Sequence, residues 1–156
     1  MQYFGGKALI APELSKKINS LLKPDQAFVD MFCGSCNVIL KIDPNRQRFA
    51  NDVNHYLIAM WVALQDGWTP PSEITENSLI YCDIPYKNTT GYAIGEFNHV
   101  EFYKWAEYMK KQGHMILVSE YEKNIPPYKR VIWRKKSTST AHIGKGIDTV
   151  EVLVMI

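Results

Sequence analysis

No run of apolar residues approaches the roughly 18 needed to cross a bilayer, and the first residues lack the long apolar core of a signal peptide. A membrane is therefore not an expected partner, and a cytoplasmic location is the expectation. Cysteine is scarce: three residues, an odd number, argue against a disulfide framework. Cys33-Gly34-Ser35-Cys36 is a Cys-x-x-Cys, but a structural zinc site needs about four ligands. The third cysteine, Cys82, falls in a predicted strand without a histidine pair at finger spacing, so no metal is expected. A redox pair would want a thioredoxin-like context that the flanks do not show, which leaves a tight turn of small residues as the plainer reading. An excess of one charge is also lacking: the net +2 exerts no general pull on a polyanion and leaves only local basic faces to engage phosphates. Internal repeats and low-complexity linkers are absent. The 156 residues read as one domain, 1–156, expected to be a monomer.

What is present is an ordinary soluble composition, 46% hydrophobic and 22% charged, sufficient for a sizeable core. The most informative stretch is Leu79-Ile80-Tyr81-Cys82-Asp83-Ile84-Pro85-Tyr86. Four mostly apolar residues rich in β-formers run into an acid, a proline and an aromatic, so a buried strand ends by projecting a carboxylate and a ring into a crevice. In open α/β sheets ligands bind at such strand ends. A carboxylate and carbonyls beside a ring suit a flat heterocycle bearing an amino group, which stacks while the oxygens accept its N–H donors. The same four-residue pattern also occurs in plain turns, so its neighbours in the chain matter.

Tyr3-Phe4-Gly5-Gly6-Lys7 allows a sharp turn and close approach of a ligand beside a mobile cation, or a loose terminus. From Pro12, Leu14, Ile18, Leu21 and Leu22 fall at helical spacing until Pro24. Residues 27–32 read as a short strand in which Asp30 can reach the crevice. The glycine-containing turn follows, and then a helical apolar face at Val38-Ile39-Leu40, the opening of a nucleotide-type βαβ unit. A second strand over 47–50 ends in Asn51-Asp52. Asp52 lies 22 residues after Asp30, near the roughly 20 at which an acid meets ribose hydroxyls.

A helix is predicted over 53–64, stopped by Gly67-Trp68-Thr69-Pro70-Pro71. After the key strand, 87–97 is a polar loop, either solvated or able to close over a substrate. A helix over 100–109, strands over 114–121 and 128–136, a polar loop over 137–146 and a final strand over 150–156 complete the reading. The basic run at the end of the fifth strand suits phosphate contacts or a solvated strand edge. Lys87, Arg130, Lys135, Lys136 and Lys145 are the candidate phosphate-contacting cations.

Taken in order, Tyr3-Phe4-Gly5-Gly6-Lys7, Asp30-Met31-Phe32-Cys33-Gly34-Ser35, Asn51-Asp52-Val53-Asn54 and Asp83-Ile84-Pro85-Tyr86 resemble the Dam-type DNA adenine methyltransferases common in bacteriophages and restriction systems. The resemblance implies a Rossmann-like α/β domain, its sheet mostly parallel with an antiparallel C-terminal strand, that binds S-adenosylmethionine and methylates the exocyclic amino group of a flipped-out adenine in DNA. Carried over by motif, Tyr3, Lys7 and Asp30 border the methyl donor, Phe32 and Gly34 line its amino-acid end, and Asp52 holds its ribose. Asp83 and the Ile84 carbonyl accept from the target amine, Pro85 keeps the turn extended, and Tyr86 stacks on the base, with Asp83 also facing the donor.

Three departures stand out. Ile84 replaces a proline at a position whose role belongs to a backbone carbonyl. Cys36 stands where the turn often has another glycine. Between Pro71 and Leu79 only seven residues remain where the family inserts an edge strand and a recognition region. The chain is then either a minimal enzyme with loose specificity or a shortened one. An inactive donor-binding relic that still binds nucleic acid, and a methyltransferase acting on cytosine or RNA, stay open at this point.

Overall fold

The computed structural model describes residues 7–54, 58, 77–87, 97–126, 129–139 and 147–156. The sequence-predicted helix over 53–64 and its stop, most of the loop over 87–97, and Tyr3 and Lys145 lie outside the described residues.

Six strands form one sheet: β1 (Phe28–Asp30), β2 (Arg48–Ala50), β3 (Leu79–Cys82), β4 (Met115–Tyr121), β5 (Arg130–Ser139) and β6 (Ile147–Met155). Their spatial order is β2-β1-β3-β4-β6-β5. The first four are parallel to one another, and β6 runs antiparallel to both β4 and β5. This is a Rossmann-like mixed α/β sheet with an antiparallel strand near one edge, as expected. β3 is central and buried along its whole length, which is why its sequence is a continuous apolar run rather than an alternating one.

Alternation along the strands divides the core in two. Leu79, Tyr81, Leu117 and Leu153 pack with Leu14 and Ile18 of α1 (Ala11–Asn19). Ile80, Cys82, Ile116, Val118, Val152 and Val154 pack with Phe102 and Ala106 of α2 (His99–Lys111). Helix α1 carries a proline in its first turn, Glu13 near its start and Lys16 and Lys17 in its last turn, an order that suits the helix dipole. At α2 the Asn98 side chain caps the Glu101 N–H at 3.1 Å. Gly113 turns the chain out of the helix with φ +93°, a conformation that disfavours a side chain.

Two elements differ from expectation. No α-helix follows the glycine turn; Ile39–Lys41 forms a single 3-10 turn ended by Ile42 in an extended conformation. Pro44, two residues later, disfavours helical backbone at the residue before it, leaving the helix no room to propagate. The polar stretch after Lys136 is strand as far as Ser139, because Ser137, Thr138 and Ser139 pair with Thr149, Asp148 and Ile147.

Buried Tyr81 places its hydroxyl 2.9 Å from Ser119 Oγ, linking β3 to β4 just below the strand ends. Tyr81→Phe leaves Ser119 without that partner and is expected to cost about 1 kcal/mol, read as a lower urea midpoint at unchanged slope. An unchanged midpoint would mean that the pair contributes nothing net.

Candidate active site

Parallel register brings the strand ends to one level. Asp30 closes β1 opposite Ala50 of β2 and Tyr81 of β3. Asp52 and Asp83 each lie two residues beyond that row. Three carboxylates therefore emerge along one edge of the sheet, at the carboxyl ends of the strands where ligands collect.

At β3 the acid meets a cation. Lys7 Nζ lies 3.0 Å from Asp83 Oδ1 and 3.4 Å from Glu151 Oε2. It also sits 4.3 Å from the centroid of the Tyr86 ring. The Tyr86 hydroxyl donates to Glu151 Oε2 at 3.2 Å, and its ring meets Tyr121 edge-on at 4.5 Å. Lys7, Asp83, Tyr86 and Glu151 thus form one cluster with two acids, one cation and one ring. Burial alone would lower the Lys7 pKa, but the two carboxylates more than offset it and hold the ammonium charged.

Asp83 is pushed up to about 6, first by burial and further by Glu151, against the pull of Lys7 and of the Tyr86 hydroxyl. Burial likewise drives Asp30 well above the ordinary carboxylate range, helped by the nearby Asp83 charge. Asp30 Oδ1 has no hydrogen-bond partner among the described residues.

The glycine turn is held by Asp52: its Oδ2 accepts the Gly34 N–H at 2.9 Å and its Oδ1 the Asn54 N–H at 2.9 Å. Gly34 has φ +47°, and Cys36 follows at φ +56°, a left-handed position where a glycine would be unstrained. A hydrogen bond with Cys36, then burial, pushes the Cys33 thiol far up, so it stays protonated rather than forming the reactive thiolate of a redox pair. Among the described residues no group of three or more His, Cys, Asp or Glu side chains could hold a metal.

The motif turn is fastened from behind. Ile84 buries its side chain on the α2 side, and His99 Nε2 lies 2.9 Å from the Pro85 carbonyl oxygen. Glu120, buried and pushed up by that burial, accepts the Lys87 N–H at 3.3 Å, the Tyr121 N–H at 2.7 Å and the Asn124 side chain at 3.0 Å. Phe32 turns its ring edge-on to Phe97 and Phe102, at 5.8 and 6.2 Å.

Glu151 and His99 were not among the residues singled out by sequence. Glu151 leaves a readable trace, since it is one acid in the otherwise apolar run Val150-Glu151-Val152-Leu153-Val154.

Among the described residues, the candidate DNA-contacting cations Lys87, Arg130, Lys135 and Lys136 do not form one group. Register sets Lys135 opposite Glu151, which itself faces Tyr121, so Lys135 stands at the level of the cluster. Arg130 enters β5 opposite Met155, at the level of Leu117. Lys135 pairs with Glu13 at 2.6 Å and neighbouring Arg134 with Glu122 at 2.6 Å. Lys87 and Lys136 are exposed. A groove of about 600 Å³ lined by Val100, Tyr103, Tyr108 and Pro126 runs along α2 and contains none of the candidate site residues.

The strand order and the acids at the strand ends define a Rossmann-like fold of the methyltransferase type. Residues 3–77 match the family model of the D12 class N6 adenine-specific DNA methyltransferases. The matched residues carry three of the four motifs and stop just before β3, at the place where the recognition region is shortened. No curated protein matches the chain.

Proposed function

We propose that this chain is a single catalytic domain that transfers a methyl group from S-adenosylmethionine to the exocyclic amino group of adenine in DNA. One observation carries the reading: a nitrogen donor, Lys7 Nζ, already sits on the Asp83 carboxylate and over the Tyr86 ring, the two contacts that an amine-bearing base stacked on Tyr86 would make. The match of residues 3–77 to an adenine-specific family supports the choice of base.

The residues present fit the methyl donor. The unpartnered Asp30 Oδ1 suits an ammonium group, and the left-handed turn at Gly34 with Asp52 beside it suits a nucleoside. When bound, S-adenosylmethionine supplies an electrophilic methyl group on a positively charged sulfur. The chain's own work concerns the amine, whose lone pair is drawn into the purine ring. Asp83 and the Ile84 carbonyl accept its two N–H bonds and favour a more tetrahedral nitrogen. As nitrogen takes the methyl it sheds a proton, and a carboxylate with a pKa of about 6 is a competent acceptor. Tyr86 stacking offsets part of the few kcal/mol spent in extruding the base from the duplex. Lys87 and Lys136 are the proposed phosphate contacts, with Lys135 beside them once released from Glu13.

Incubating the protein with labelled donor and unmethylated duplex, then analysing nucleosides, tests this reading. N6-methyladenine is expected. Labelled cytosine would reassign the base, and donor binding without transfer would favour an inactive relic. With only seven residues between Pro71 and Leu79, methylation is expected at several sequence contexts, since base-edge contacts are what specify sequence.

The pH profile follows from Asp83. Ionised Asp83 is the stronger acceptor, so kcat/KM is expected to rise with pH through an acidic limb near 6. Lys7→Met removes the cation that favours the carboxylate and moves the limb to higher pH. A profile flat from pH 5 to about 8 would contradict an ionised Asp83 acceptor.

A further inference from the structure

We propose that Glu151 is a positioning residue of this site, anchoring the Tyr86 hydroxyl and receiving Lys7 when the target amine takes Asp83. The inference rests on the methyltransferase reading and adds to it a residue that neither the motifs nor the matched stretch contains, since the family match ends at residue 77.

The geometry is specific. Lys7 Nζ is shared between two carboxylates, at 3.0 Å from Asp83 and 3.4 Å from Glu151, with side-chain exposures of 10% for the lysine, 17% for Asp83 and 15% for Glu151. A base stacked on Tyr86 with its amine on Asp83 needs both positions that the ammonium holds. Expelling a mostly buried ammonium with no second acceptor would oppose base entry strongly. Glu151 supplies that acceptor at the hydroxyl end of the ring. By also taking the Tyr86 hydroxyl at 3.2 Å, it fixes the ring's orientation while the cation moves.

β6 places it there. Glu151 pairs in register with Tyr121 of β4 and Lys135 of β5, and Tyr121 is the ring that packs edge-on against Tyr86. An acid on a strand flanked on both sides would otherwise be an unfavourable choice, because neighbouring Val152, Leu153 and Val154 are all buried.

Two readouts test the role, and one does not depend on catalysis. Asp83 is faced by Lys7 before α1, Glu151 on β6, Tyr86 in its own turn, Asp30 on β1 and Tyr81 on β3. Glu151 is a negative charge that raises the Asp83 pKa, so Glu151→Gln should lower it, both directly and by leaving Lys7 wholly to Asp83. Carboxyl-carbon NMR titration of the free protein is expected to show the Asp83 midpoint falling from about 6. In methyl-transfer assays Glu151→Gln is expected to raise KM for DNA about tenfold with a smaller change in kcat, the scale of one charge-assisted hydrogen bond. In the Lys7→Met background the same substitution should cost no more than about twofold.

An Asp83 midpoint that does not fall, or an undiminished KM effect in the Lys7→Met background, would overturn the proposal. Wild-type protein that transfers no methyl, together with an Asp83 midpoint that falls in Glu151→Gln, would instead count against the function while leaving the Lys7–Glu151 coupling in place. Should Glu151→Gln fail to fold, Glu151→Asp, which keeps the charge but withdraws it by one methylene, is expected to move both readouts in the same directions by less.

Discussion

Asp83→Ala is expected to reduce kcat/KM for methyl transfer by about 100- to 1,000-fold, the loss typical of removing one preorganised acceptor or donor at a reacting centre. The fold should survive. Asp83 lies just past the end of β3, and its removal leaves Lys7 a remaining carboxylate in Glu151. The linkage points the same way. Held near 6, above its ordinary 3.8, the Asp83 carboxyl stabilises the fold only while protonated; that contribution is complete below the unfolded value and lost as pH rises through about 6. At neutral pH the substitution should therefore leave the melting temperature unchanged or slightly higher. Thermal melts beside single-turnover rates check both halves, and near-normal turnover would remove Asp83 from the chemistry.

Tyr86→Ala is expected to raise KM for DNA by about 5- to 150-fold, the range covered by loss of one base–aromatic stack. The effect on kcat should be smaller, because Asp83 stays in place. Tyr86→Phe keeps the ring and loses the hydroxyl that donates to Glu151 and favours ionised Asp83, so it should fall between wild type and Tyr86→Ala. Steady-state kinetics with a fluorescent base analogue at the target position would report extrusion directly. Equal effects of Tyr86→Phe and Tyr86→Ala would assign the role to the hydroxyl and not to stacking.

The centre of the sheet was legible because its chemistry is local. Leu79 to Cys82 is apolar at every position, as a strand buried on both faces must be, and Asp83 announces where it ends. Asp30 and Asp52 could be placed at one crevice because parallel strands share a register. The segment after Cys36 was not legible: Val38, Ile39 and Leu40 have helical spacing, yet a left-handed Cys36 before them and Pro44 after them leave space for only a single turn. The basic run read as phosphate contacts or a solvated strand edge, and its partners lay out of sight: Lys135 pairs with Glu13 and Arg134 with Glu122. Glu151 stayed hidden for a different reason. Its function depends on being brought beside residues 65 and 144 positions earlier, and no spacing rule reaches that far.

β6 is the last of the described strands but an interior one in the sheet, lying between β4 and β5. During synthesis from the amino terminus, β4 must therefore wait with one flank open, and β5 has no neighbour to join, until β6 leaves the ribosome. The strand that closes that flank also delivers the second carboxylate of the cluster. Nascent chains halted before residue 147 would thus be both sticky and catalytically incomplete, and competence would arrive in the same step as closure.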